Sequence, residues 1–234
     1  MRWETHCHTI YSTHRSRILD AVNTPGEMIK AAIRRRLQGL IITDHDSVKG
    51  GLVGRRISAR YDSFSVIPGS EITSLSGHIL AIGIDRDVPR NLSLEETIEK
   101  IHDNGGIAVA SHPFSETVRR SSREECSAAD AIEVFNSHNT ETANQSAYQF
   151  AKKLGKPVSA GSDAHWARHV GYAGIVCDNP VEDLRKGRIE IFGCYAPRRD
   201  FVGFSLVRLE RSLRLRILSE KSLPLATFLK NLRD

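Results

Sequence analysis

The chain has 234 residues, of which 40% are hydrophobic and 26% charged, with a formal net charge of +5. That composition suits a globular fold in water, and the length suffices for one sizeable core. No run of roughly 18 apolar residues exists, which excludes a membrane-spanning helix, and Met1-Arg2-Trp3-Glu4 lacks the basic-then-apolar layout of a signal peptide.

Charge is unevenly placed. Residues 198–234 hold nine Lys/Arg against four Asp/Glu, an excess equal to that of the whole chain, so the remainder is formally neutral. A basic tail can attract phosphates or nucleic acid; the plainer reading is a solvated helix face. The four cysteines, Cys7, Cys126, Cys177 and Cys194, form no CxxC pair and read as reduced thiols of a cytoplasmic protein.

In chain order, Trp3 to His8 reads as a strand. A helix follows in NTPGEMIKAAIRRRL, with Thr24 as N-cap, Pro25 at N1 and Glu27 completing a capping box. GLIITDH (39–45) is a buried strand and residues 48–61 a basic helix. FSVIPGSEI (64–72) and HILAIGI (78–84) are adjacent strands. Ser93 and Glu96 form a second capping box, opening a helix that stops at Gly105-Gly106. GIAVASHP (106–113) and AIEVFN (131–136) are strands, and a helix over about 140–154 ends at Gly155. KPVSAGSDAH (156–165) runs from strand into loop. AGIVCD (173–178) and IEIFGCY (189–195) follow, split by a short helix around 181–187. The alternation predicts parallel strands with crossover helices, and some seven units in 200 residues favour a closed barrel over an open sheet. Beyond it, SLVRLERSLRLRIL reads as an amphipathic helix, with Leu206, Leu209, Leu213 and Ile217 sharing a face.

Polar residues recur at one kind of position. His6 and His8, two apart on a strand, leave the same face, and Asp163 and His165 repeat that geometry. His45 ends IITDH, Glu71 follows VIPGS and His112 ends IAVAS. In a parallel barrel these strand ends converge on the face where active sites sit. A lone histidine there would be a hydrogen-bonded core residue; so many at equivalent points are not explained that way. With His14 and His78 nearby, nine imidazoles and carboxylates gather, ligand types for zinc, manganese or iron and enough for two or three ions. Cys7 alternates with His6 and His8 and points to the opposite face as a packed thiol.

In order, HCH (6–8), ITDHD (42–46), PGSEI (68–72), GHIL (77–80), SHP (111–113) and GSDAH (161–165) resemble the PHP (polymerase and histidinol phosphatase) family over most of residues 3–196. The resemblance implies an α/β fold, a distorted (β/α)7 barrel over 1–197 and a stand-alone metal-dependent phosphoesterase; residues 198–234 lie beyond the resemblance and are expected to form a short basic helical extension packed on the barrel. It implies that His6, His8, Glu71 and Asp163 hold one ion, that Glu71 bridges to a second held with His78 and His112, and that His14, His45 and His165 hold a third. A hydroxide between metals is then the expected nucleophile.

Around this set, Asp44 is the residue expected to orient a ligand imidazole; capping or turn duties compete. His138 could protonate a leaving group or contact phosphate, and Arg119 and Arg120 could clamp it; ordinary loop residues are the alternative for all three. Arg168 and His169 are candidates for the rim, and His102 is read as structural. The leading function is hydrolysis of a small phosphomonoester, a nucleotide or sugar phosphate. A phosphodiesterase or nuclease helped by the basic tail, and a non-catalytic RNA-binding subunit, are the alternatives. No membrane partner is expected, and the oligomeric state is left open.

Overall fold

A computed structural model describes residues 1–13, 18–116, 123–197 and 199–214. Among them, nine strands form one sheet: β1 (Arg2–Cys7), β2 (Gly39–Ile42), β3 (Ser65–Thr73), β4 (His78–Ile82), β5 (Ile107–Ala110), β6 (Ala131–Asn136), β7 (Val158–Gly161), β8 (Ala173–Val176) and β9 (Glu190–Gly193). Their order is β7-β6-β5-β4-β3-β2-β1-β8-β9. The helices are α1 (Pro25–Arg34), α2 (Lys49–Ser58), α3 (Leu94–Asp103), α4 (Arg123–Ala128), α5 (Glu141–Leu154) and α6 (Pro180–Arg185). Residues 199–214 are also helical and are called α7.

The sheet curls until it nearly closes. His8 N donates to Ala164 O (2.9 Å) and Ala164 N to His6 O (3.2 Å), bridging β1 to the residues that follow β7. The fold is thus the distorted barrel expected, with one correction. Only β1–β2, β2–β3, β5–β6 and β6–β7 pair in parallel; β3–β4, β4–β5, β1–β8 and β8–β9 are antiparallel. Short apolar runs carry no mark of direction, and the link from Thr73 to His78 is too short for a parallel crossover.

Local chemistry sets the helices. Thr24 and Ser93 form the anticipated capping boxes with Glu27 and Glu96, each satisfying amide groups that the helix leaves open. Met28, Ile29, Ala31 and Ala32 of α1 are buried against Leu40 and Ile42 of β2 in one apolar cluster, and Cys7 lies in the same cluster, off the polar face as predicted. Gly155 ends α5 in the left-handed conformation (φ 62°). The helix α4 has no counterpart among the predicted elements.

The leucines of α7 share a face as expected, and that face is turned to solvent. Leu206, Leu209 and Leu213 are exposed, and the half-buried side carries Phe204, Arg208, Arg211 and Ser212. The arginines face the body because backbone carbonyls and a carboxylate there accept their N–H groups. Ile217 lies outside the described residues. Among the described residues no helix is long and apolar enough to cross a membrane.

Candidate metal centre

The polar residues converge where the strand alternation puts them. His6 and His8, both fully buried, project from the end of β1 and just past it. Glu71 stands near the end of β3. Because β4 runs antiparallel with Thr73 opposite His78, the first residue of β4 reaches the same face as the last residues of β3. Asp163 and His165 follow β7. His112 and Asp163 hold positive φ, 30° and 53°, a strained backbone of the kind that packed functional sites sustain.

At the centre, His6 Nε2 and His8 Nε2 lie 3.1 Å apart. Glu71 Oε2 is 3.2 and 3.3 Å from them, and Asp163 Oδ1 3.4 and 3.2 Å. The other Glu71 oxygen, Oε1, meets His78 Nδ1 (3.1 Å), His112 Nε2 (2.8 Å) and the hydroxyl of Ser111 (2.9 Å). Glu71 therefore faces two groups at once. His45 lies between Glu71 Oε2 (3.5 Å) and Asp20 Oδ2 (3.8 Å), and His165 Nε2 is 3.3 Å from Asp20.

Three overlapping sets result, each with donor atoms within 4.8 Å of one another: His6, His8, Glu71, Asp163; His45, Glu71, His78; and His8, Asp20, His45, His165. The donors fit divalent transition metals: imidazole nitrogens and carboxylate oxygens, fully buried in the first set and partly half-buried in the other two. Among the described residues, Asp163 Oδ1 and Asp20 Oδ2 are buried and accept no well-formed hydrogen bond, a costly state unless a cation satisfies them.

The surrounding residues fix which nitrogen faces inward. The Glu133 carboxylate, fully buried, accepts from His6 Nδ1 (2.9 Å), which leaves the Nε2 lone pair for the centre. Glu133 also accepts from His112 N (2.8 Å) and the Asn136 amide (3.1 Å). The carbonyl of Asp163 accepts from His165 Nδ1 (3.0 Å), turning Nε2 toward Asp20. Glu4, a buried residue of β1, accepts from the amides of His6 (3.1 Å), Ser162 (2.9 Å) and Gly171 (2.8 Å), tying the β1 and β7 ligand segments together.

Electrostatics follow from this crowding. Burial alone would raise the pKa values of Glu71 and Asp163, but the surrounding histidines hold both well below the usual carboxylate range. Burial would lower His165, yet Asp20 and Asp163 outweigh it and hold the imidazole up to about 10. Burial lowers His45 to about 3.

Of the nine ligands expected, the structure gathers His6, His8, His45, Glu71, His78, His112, Asp163 and His165; His14 lies outside the described residues, as do Arg119 and Arg120. His112 reaches the cluster through Glu71 rather than standing in one of the three donor sets. Asp20 was not anticipated. It ends no strand and sits twelve residues after His8, so neither periodicity nor strand-end position singles it out.

Asp44 is a correction. Its buried carboxylate accepts from Thr9 N and from the Thr9 hydroxyl (2.8 Å), not from a ligand imidazole, so it anchors the turn after the HCH strand. His138 faces His169, with Nε2 to Nδ1 at 3.2 Å, and burial pushes each down to about 4. Arg168 pairs with Asp200 (3.2 Å). His102 pairs with Asp130 (2.9 Å), away from the site.

The fold is an α/β barrel whose open face collects histidines and acids in overlapping sets that could hold metal ions. A family described as PHP-associated matches residues 141–188. Uncharacterized protein MJ1587 of Methanocaldococcus jannaschii is 33% identical over 144 residues, 59% of this chain and 84% of that protein. MJ0417 of the same organism is 33% identical over 118 residues, 47% of this chain and half of that protein. The fold matches a two-domain Bacteroides vulgatus protein containing a predicted PHP-like metal-dependent phosphoesterase (TM-score 0.67, 16% identity, 83% of this chain and 65% of that one). It also matches a Chromobacterium violaceum amidohydrolase with bound sulfate (TM-score 0.61, 18% identity, 81% and 98%). The chain belongs to the PHP family.

Proposed function

We propose that the protein is a metal-dependent phosphoesterase acting on a small phosphomonoester of the nucleotide or sugar phosphate type. The observation that carries this reading is Glu71, whose two oxygens face separate donor sets about one buried centre. In the reading, His6, His8, Glu71 and Asp163 hold one ion, Glu71, His45 and His78 a second with His112 beside it, and His8, Asp20, His45 and His165 a third. Zinc, manganese or iron suits these donors. Such ions supply a nucleophilic water near neutral pH and offset phosphate charge.

The chain's own residues then bind and orient. His138, kept neutral at physiological pH by burial, serves phosphate as a hydrogen-bond donor rather than as a cation. Arg119 and Arg120 are proposed as the clamp. A dianionic monoester gains more than a monoanionic diester from clustered cations. The sulfate of the Chromobacterium violaceum protein is a tetrahedral anion on a similar fold, consistent with a phosphate subsite. The nuclease alternative leaned on the basic tail, yet Arg208 and Arg211 are engaged by the body and Arg214 by Glu210 (2.7 Å).

The test is turnover with manganese on nucleoside monophosphates and sugar phosphates against bis-aryl phosphodiesters and short oligonucleotides. Faster monoester hydrolysis is expected. Oligonucleotides turned over faster at low salt, with that preference lost on truncation near Pro197, would replace this reading with a nuclease.

A further inference from the structure

The segment bearing Asp20 is held from two sides. The barrel holds its later part: Val22 N donates to His165 O (3.1 Å), and Asn23 Oδ1 accepts from Ala167 N (2.8 Å). The residue immediately before Asp20 is held by α7. Arg208 Nε donates to Leu19 O, and Leu19 N donates to Ser212 Oγ (3.0 Å). Arg211 donates to Val22 O and pairs with both oxygens of Glu27 at 3.2 and 3.0 Å.

The first turn of α7 grips the other side of the same donor set. Asp200, 3% exposed, accepts from Tyr172 Oη (3.0 Å) and pairs with Arg168 (3.2 Å), both in the segment that follows His165. The Phe204 ring stands 6.4 Å from the His165 ring. One helix thus ties together the segments carrying Asp20 and His165, whose side chains meet at 3.3 Å. It lies outside the residues matched by the family pattern.

We infer that α7 is a positioning element of the metal centre: Arg208, Arg211 and Ser212 fix Asp20 among His8, His45 and His165, so that the C-terminal helix sets the affinity of that donor set for its ion. This rests on the reading that the set holds an ion. Leu19 is one peptide unit from Asp20, and freeing both of its backbone groups lets the carboxylate swing away while the donors on β1 and β3 stay in place.

The experiment titrates the full-length, metal-stripped protein with manganese alone, by calorimetry and electron paramagnetic resonance. It compares wild type, Asp20→Asn, Arg208→Ala/Ser212→Ala and Arg208→Lys. The weakest-bound ion is expected to lose about tenfold or more in affinity in the double variant, the scale typical of residues that orient ligands. Tighter ions should be unchanged, and Arg208→Lys, which keeps a donor, should recover part of the loss. If Asp20→Asn loses that ion while the double variant binds as wild type, the role of α7 is overturned and the ion reading stands. If Asp20→Asn itself binds as wild type, the ion reading of this set fails and the inference with it. Should the double variant not fold, Ser212→Ala alone, which removes one hydrogen bond, decides in the same way.

Discussion

Glu133 shows how a residue that need not touch an ion governs the site. Its carboxylate accepts hydrogen bonds from His6 Nδ1, His112 N and the Asn136 side-chain amide. In Glu133→Gln one oxygen becomes an NH2 group, which cannot satisfy all three donors, and the imidazole loses its fixed tautomer. Manganese affinity should fall about 10- to 100-fold with the fold intact, as read by chelator competition and circular dichroism; unchanged affinity would show that the pair is only packing. His8→Ala and Asp163→Ala should each lower turnover by orders of magnitude while the far-ultraviolet spectrum is retained. Near wild-type turnover with metal saturated would refute the assignment of either residue.

The elements succeed or fail on close approach. In α2, a Cβ added at Gly51 would lie 2.7 Å from Pro68 Cα, a backbone atom of β3 that cannot rotate aside. Gly51→Ala should therefore push α2 off the sheet and cost about 1–3 kcal/mol, seen as a lower urea midpoint; an unchanged midpoint would mean the helix shifts freely. The sequence made α1, α3 and α5 legible, because Thr24–Glu27, Ser93–Glu96 and Gly155 are local signals for local events. The strand-end positions of His6, His8, His45, Glu71, His112, Asp163 and His165 were legible too, because alternation in a strand is also local. Strand direction was not, nor was Asp20, which reaches the centre through a loop fixed by contacts about 190 residues away in α7. Which side of α7 meets the barrel was not legible for a related reason: the leucine stripe marks an apolar face, while the body offers carbonyls and a carboxylate to its arginines.

For the molecule as a whole, the centre links metal, protons and folding. In the metal-free protein His6 is held well above its ordinary value, and His112 and His165 are raised too, the last to about 10. A group whose folded value is raised contributes stability that is complete below its unfolded value, near 6.5, and is lost as pH rises through the folded value. Metal-stripped protein should therefore melt at falling temperature from pH 6.5 toward 10. Ions compete with these protons, so manganese affinity should rise with pH, and binding near neutrality should release protons. Calorimetry in two buffers of different ionisation enthalpy checks this; identical heats would refute it.

β1 lies inside the sheet between β2 and β8; it carries His6, with His8 just past its end, while Asp163 and His165 stand more than 150 residues later. On the ribosome, the histidines emerge long before the aspartate that completes their donor set. The nascent chain must keep two imidazoles and an unpaired strand edge waiting until β7 and β8 leave the exit tunnel. The central donor set is thus completed only after β7 has been made, and any product cut short before Asp163 lacks it.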